Sequence, residues 1–122
     1  MIGSLMMRIG AVILLVGMLA GIAMGIQQDF TLAPAHAHLN LVGGVLLFLF
    51  GLYYRLVPAA GNNPLANLQG WLLIAGAILF PAGVAIVILK GASFIAAPIV
   101  GSLIVVAAMA LFTVIVFRTS RA

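Results

Sequence analysis

Residues 34–58 read PAHAHLNLVGGVLLFLFGLYYRLVP. Past His36, His38 and Asn40 the stretch stays apolar until Arg55. At a rise of about 1.5 Å per residue, some 20 apolar residues cross a hydrocarbon core of about 30 Å. A membrane span is therefore expected at about residues 35–57, and runs of the same kind lie at about 6–26, 65–89 and 96–117. Each run is apolar on all sides, whereas barrel strands are shorter and alternate. The expected fold is all-α: one four-helix transmembrane bundle occupying residues 1–122 as a single domain.

Composition agrees. The chain is 66% hydrophobic and 5% charged, where soluble domains carry about 25% charged residues. Lipid, not water, is the main solvent. The formal charge of +4 comes from five basic residues and one acid. The basic residues form no patch, so nucleic acid is not an expected partner. Without cysteine, disulfides, thiolate metal sites and thiol nucleophiles are excluded. The lone acid, Asp29, falls between spans, which argues against a small proton-coupled exporter. There is no carboxylate pair and no glycine-rich phosphate loop.

Breakers separate the spans. Gln27, Gln28 and Asp29 end the first helix, and Pro34 suits the first turn of the second. Pro58 closes the second, followed by a short polar turn over 59–63. Asn63–Pro64 reads as N-cap and first residue of the third helix, and Lys90–Gly91 as its end. Pro81 is expected to kink that helix. Pro98 lies near the start of the fourth. The first helix is longer than the apolar core of a signal peptide, so it is read as a resident span.

Four spans place Arg8, Arg55, Arg118 and Arg121 on one side and Lys90 with Asp29 on the other. The positive-inside rule then puts both termini in the cytoplasm and the histidines near the outer face. A bacterial inner membrane is the expected location. Gly17, Gly21 and Gly25 form a doubled GxxxG, with Gly10 one heptad earlier. That face is expected to serve packing within the bundle or a homo-oligomer interface.

On a regular α-helix His36, Asn40, Gly43 or Gly44, Leu47, Gly51 and Tyr54 share one face. His38 is turned about 200° from His36, so the two rings do not meet at one metal from such a helix. Ionisable groups at membrane depth are expensive and mark candidate sites. Imidazole is a common haem and metal ligand. Asp29 is expected to end the first helix or to orient His36.

The run His38-Leu39-Asn40-Leu41-Val42, with Leu46-Leu47-Phe48, Gly51, Tyr53-Tyr54 and Leu56-Val57-Pro58, resembles the second transmembrane helix of the catalytic subunit of bacterial nitric oxide reductases. These belong to the haem-copper oxidase superfamily. Residues 66–73 with Gly76 are similar to the start of the next helix there. The stretch FTLAPAHAHLNLVGG also resembles a group of small four-helix bacterial membrane proteins described as oxidase-like. The resemblance implies that His38 is an axial ligand of haem b. His36 would be a second ligand or hydrogen-bond donor, and Gly43 and Gly44 would leave room for the macrocycle. Full catalytic subunits have many more helices and ligating histidines than this chain, so oxygen or nitric oxide reduction by it alone is not expected. A second axial ligand would come from His36, Met24 or another copy's His38. The expected role is electron transfer or another redox-linked function. Two alternatives stand beside it: a copper site at the outer face built from His36, His38 and Met24, and an accessory or assembly subunit of a respiratory complex.

Overall fold

A computed structural model describes residues 1–120; Arg121, one of the expected topology markers, lies outside the described residues. Five helices follow in order: α1 (Ile2–Gln27), α2 (Ala33–Leu56), the short α3 (Pro58–Gly61), α4 (Pro64–Lys90) and α5 (Ala96–Thr119). The described residues contain no strand. The four long helices are each long and apolar enough to cross a membrane. The segment over 59–63, expected as a plain turn, is mostly the helical turn α3, with Pro58 at a first-turn position where its missing N–H costs nothing.

The expected boundaries at both ends of α4 hold. Asn63 Oδ1 accepts the Leu65 N–H at 3.0 Å, which satisfies one of the orphan donors of the first turn. Gly91 ends the helix at φ 101°, a conformation only glycine adopts freely. The helix continues through Pro81. Proline has no N–H for the Ala77 carbonyl, and that oxygen instead faces Gly43 of α2, 3.4 Å from where a Cβ would stand.

The helices lie in the order α1, α2, α4, α5, each packed on the next. The spanning windows of α2 and α4 are 39% and 33% buried, those of α1 and α5 only 11% and 22%. The two middle helices therefore form the core, and the outer two turn most of their surface outward. At the end away from the histidines the array closes into a bundle. There Phe50 of α2 stacks on Phe112 of α5 with ring centroids 3.8 Å apart. Tyr54 donates to Gln69 Oε1 at 2.7 Å, and Gln69 Nε2 donates to the Ala108 carbonyl at 3.2 Å. Both side chains are wholly buried, so this clasp joins α2, α4 and α5 through polar groups that lipid would leave unsatisfied.

Gly3, Gly10 and Gly17, one per heptad, carry α1 onto α2. A Cβ on Gly10 would lie 3.0 Å from both the Gly44 carbonyl oxygen and the Phe48 nitrogen, and one on Gly51 would lie 2.6 Å from the Gly3 carbonyl. The doubled GxxxG is divided by this arrangement. Gly17 and Gly21 face Asn40 and His36 of the same chain, while nothing lies within 4 Å of a Cβ on Gly25.

Helix α2 is not regular. Its middle, Leu39–Leu46, is a π-helix between α-helical ends. The wide turns delay the phase of everything beyond them. The residues facing α1 become His36, Asn40, Gly44, Phe48, Gly51 and Arg55. Phe48 replaces the expected Leu47, and Arg55 joins Tyr54 beside Gly3. Leu47 and Tyr54 are turned into the core and fully buried.

Gly10→Val places its Cβ against backbone atoms that cannot move without separating the helices. It is expected to cost about 1–3 kcal/mol and lower the thermal midpoint in detergent, whereas Gly25→Ala, which meets open space, leaves the midpoint unchanged.

Candidate functional site

Both histidines lie in the first turns of α2, at the end where α1 gives way to the connecting loop. The α-helical geometry of Ala33–His38 keeps the expected divergence of about 200°. His36 turns towards α1 and His38 towards α4.

His36 Nε2 lies 2.8 Å from the Gly17 carbonyl oxygen. A carbonyl only accepts, so Nε2 carries the proton. Asn40 Nδ2 lies 3.0 Å from Nε2 and 3.5 Å from Nδ1, beside the ring and not on the Nδ1 lone pair. Gly17 makes this possible. The Asn40 amide occupies the space a Cβ on residue 17 would need, and a Cβ on Gly21 would come within 3.3 Å of His36 Nε2. His36, Asn40 and Gly17 thus pack together between two helices, tied by the Nε2–H bond to the Gly17 carbonyl.

His38 takes the opposite tautomer. Its Nδ1 lies 2.6 Å from the Pro34 carbonyl, to which it donates. Proline at position 34 has no N–H and suits the helix start, leaving its carbonyl to receive the ring proton one turn later. The edge contact with Phe80, centroids 4.7 Å apart and planes at 70°, holds the ring from the α4 side. Nε2 is left with its lone pair and no partner among the described residues. No buried side-chain nitrogen or oxygen there is unpartnered, so Nε2 opens to the surroundings. A backbone acceptor on one nitrogen and a bare second nitrogen is the donor pattern of metal-ligating histidines.

The other expected site residues fall into place differently. Gly43 and Gly44 are buried, and the space beside them is filled by Ile13 and Leu14 of α1. Neither presents an open surface to a flat ligand. Met24 lines an apolar groove of about 600 Å³ between α1 and α4, with His36 at its rim; His38 is outside it. His36, His38 and Met24 do not converge on one point, as a shared copper ion would require. Among the described residues no three His, Cys, Asp or Glu side chains gather. What the site offers is the free Nε2 of His38.

Asp29 does not orient His36. Its Oδ1 accepts from Thr31 Oγ1 at 2.6 Å and from the Thr31 N–H at 3.1 Å. Gln28, at φ 50°, closes α1 and donates Nε2 to the Gly25 carbonyl at 2.6 Å. The two bonds from Thr31, the hydroxyl's first, hold the Asp29 carboxyl below its ordinary range. The roles of the Gly17 carbonyl and the buried Gln69 were not read from the sequence. An amide inside an apolar span was the available signal for Gln69, shared with Asn67 two residues earlier.

Nitrogen NMR of histidine-labelled protein should show the proton on Nε2 of His36 and on Nδ1 of His38; the same tautomer on both rings would contradict the hydrogen-bond assignment. For Asp29 the folded loop favours the charged form. Its contribution is complete above the ordinary pKa of about 3.9 and is lost as pH falls through the lowered folded value. Thr31→Val should raise that carboxyl's titration midpoint in carbon NMR.

No protein-family model, curated protein or solved structure matches the chain, and the likeness of residues 38–58 to a nitric oxide reductase helix therefore stands on those residues alone.

Proposed function

We propose that this protein is a multi-pass protein of a bacterial inner membrane that binds haem b through His38, with an electron-transfer or redox-linked role. The observation that carries the proposal is the state of the His38 ring. The Pro34 carbonyl holds the Nδ1 proton, which fixes the tautomer and leaves the Nε2 lone pair free. Phe80 limits rotation of the ring. His36 is tied to α1 by its Nε2–H bond to the Gly17 carbonyl, so in this reading His38 is the imidazole each chain offers. His38 of a second copy completes a six-coordinate pair in this reading, and Gly43 and Gly44 serve packing. Haem held between two imidazoles supplies a one-electron couple and leaves no open position for a substrate.

The orientation belongs to the same proposal. Arg8 near the start of α1, Arg55 at the end of α2 and Arg118 at the end of α5 share one end, and Lys90 lies at the other. The positive-inside rule puts the arginine end, with both termini, in the cytoplasm and His38 at the outer face. Gly17 and Gly21 are covered by α2, so a pairing of two His38 rings would use the face beside α4, where Phe80 meets the ring.

Protein purified in detergent from cells supplied with haem is expected to show a sharp reduced α-band of haem b type. His38→Ala removes it, His36→Ala leaves the band and lowers thermal stability, and haem analysis gives about one haem per two chains for a bis-histidine site. No haem band in such protein would overturn the proposal and favour the accessory-subunit reading.

A further inference from the structure

We propose that the end of the molecule opposite the histidines binds the phosphate headgroup of an anionic phospholipid between Arg8 and Arg55. Two open grooves of about 800 and 420 Å³ meet there, and Ser4, Arg8 and Arg55 line both. The larger continues over Asn62, Asn67 and Trp71. The smaller runs between Met7, Leu52 and Leu56. One side of the arginine pair is thus polar and the other apolar, which is the division a phospholipid carries at its glycerol.

The charges here have no counter-ion in the chain's acidic side chains. The only one is Asp29, bound to Thr31 in the opposite loop. It lies 21 residues along from Arg8, about 31 Å at helical rise. Two exposed guanidinium groups at a membrane boundary without an acid therefore attract an anion from outside. Guanidinium forks match phosphate oxygens two at a time.

The site is partly built in advance. A Cβ on Gly3 would lie 3.3 Å from Arg55 Cγ, so the absence of one lets the Arg55 stem lie across α1. Arg55 Nη1 donates to Ser4 Oγ, which fixes the guanidinium and leaves the Ser4 hydroxyl proton to donate to a phosphate oxygen. Trp71, 57% exposed at the groove wall, is the ring type that settles where headgroups meet acyl chains. The walls of Met7, Leu52 and Leu56 select an amphiphile over a soluble phosphate, and basic pockets between membrane helices are established headgroup sites in general.

The test is native mass spectrometry of the detergent-purified full chain titrated with phosphatidylglycerol, with phosphatidylcholine of the same chains, and with inorganic phosphate. Phosphatidylglycerol should be retained in preference to phosphatidylcholine. Arg8→Gln should weaken its retention about fivefold and the double variant with Arg55→Gln about thirtyfold. Arg118→Gln, outside the grooves, should leave it unchanged. Equal retention of both lipids, or a loss in Arg118→Gln as large as in the double variant, would overturn the site. Displacement of the lipid by equimolar inorganic phosphate would overturn the lipid as its occupant. Should the double variant fail to fold, Arg8→Lys with Arg55→Lys, which keeps the charge and loses the fork, must still prefer phosphatidylglycerol over phosphatidylcholine, or the proposal falls.

Discussion

Helices in hydrocarbon gain nothing by expelling water, because lipid tails are as apolar as their own side chains. They are held by close contact, at about 0.1–0.2 kcal/mol per well-placed atom pair, and by polar bonds with no alternative partner. Helix α1 shows how far this goes, since only 11% of its spanning window is buried. What holds it is one line of missing side chains, Gly3, Gly10 and Gly17, met by Gly44 and Gly51 of α2. The histidine site depends on that line. His36 reaches the Gly17 carbonyl because no side chain stands between them, and the Asn40 amide fills the vacated space.

The polar side chains described at the two sites divide by whether their bonds run between helices. Tyr54, Gln69 and the Ala108 carbonyl satisfy one another in the core, and the Gly17 carbonyl accepts the His36 Nε2–H between α1 and α2. These act as fastenings. His38 differs in that its ring proton is held by the Pro34 carbonyl of its own helix, and its Nε2 opens to the surroundings. In a low-dielectric surrounding an imidazole with one nitrogen bound and the other bare has few ways to lower its energy other than binding water, a proton or a metal. This separates His38 from His36 where composition and position do not.

Much of the fold was legible from hydropathy and breakers. Four long apolar runs gave four spans, and Asn63–Pro64 and Lys90–Gly91 marked the ends of α4 because capping is local chemistry. The divergence of His36 and His38 followed from helical phase alone. Other features depend on neighbours that a single helix does not announce. The sequence LNLVGGVL winds as a π-helix where α1 and α4 crowd Gly43 and Gly44, and a regular wheel therefore misplaced Leu47. Both glycine patterns on α1 were visible, but only packing along α2 selects the heptad. Asp29 was free on paper to reach His36, and a two-residue bond to Thr31 claimed it.

The π-helical middle of α2 also sets what the chain tolerates in evolution. One residue added to or removed from an α-helix turns everything beyond it by about 100°. Leu39–Leu46 already holds surplus length, so a one-residue deletion there can be absorbed by tightening to α-helix while Pro34–His38 and Leu47–Arg55 keep their neighbours. A deletion elsewhere in α2, or a further insertion, has no such slack and would swing either the histidines or Arg55 off its partner. Relatives of this chain should differ in length at this stretch before they differ anywhere else in the four spans.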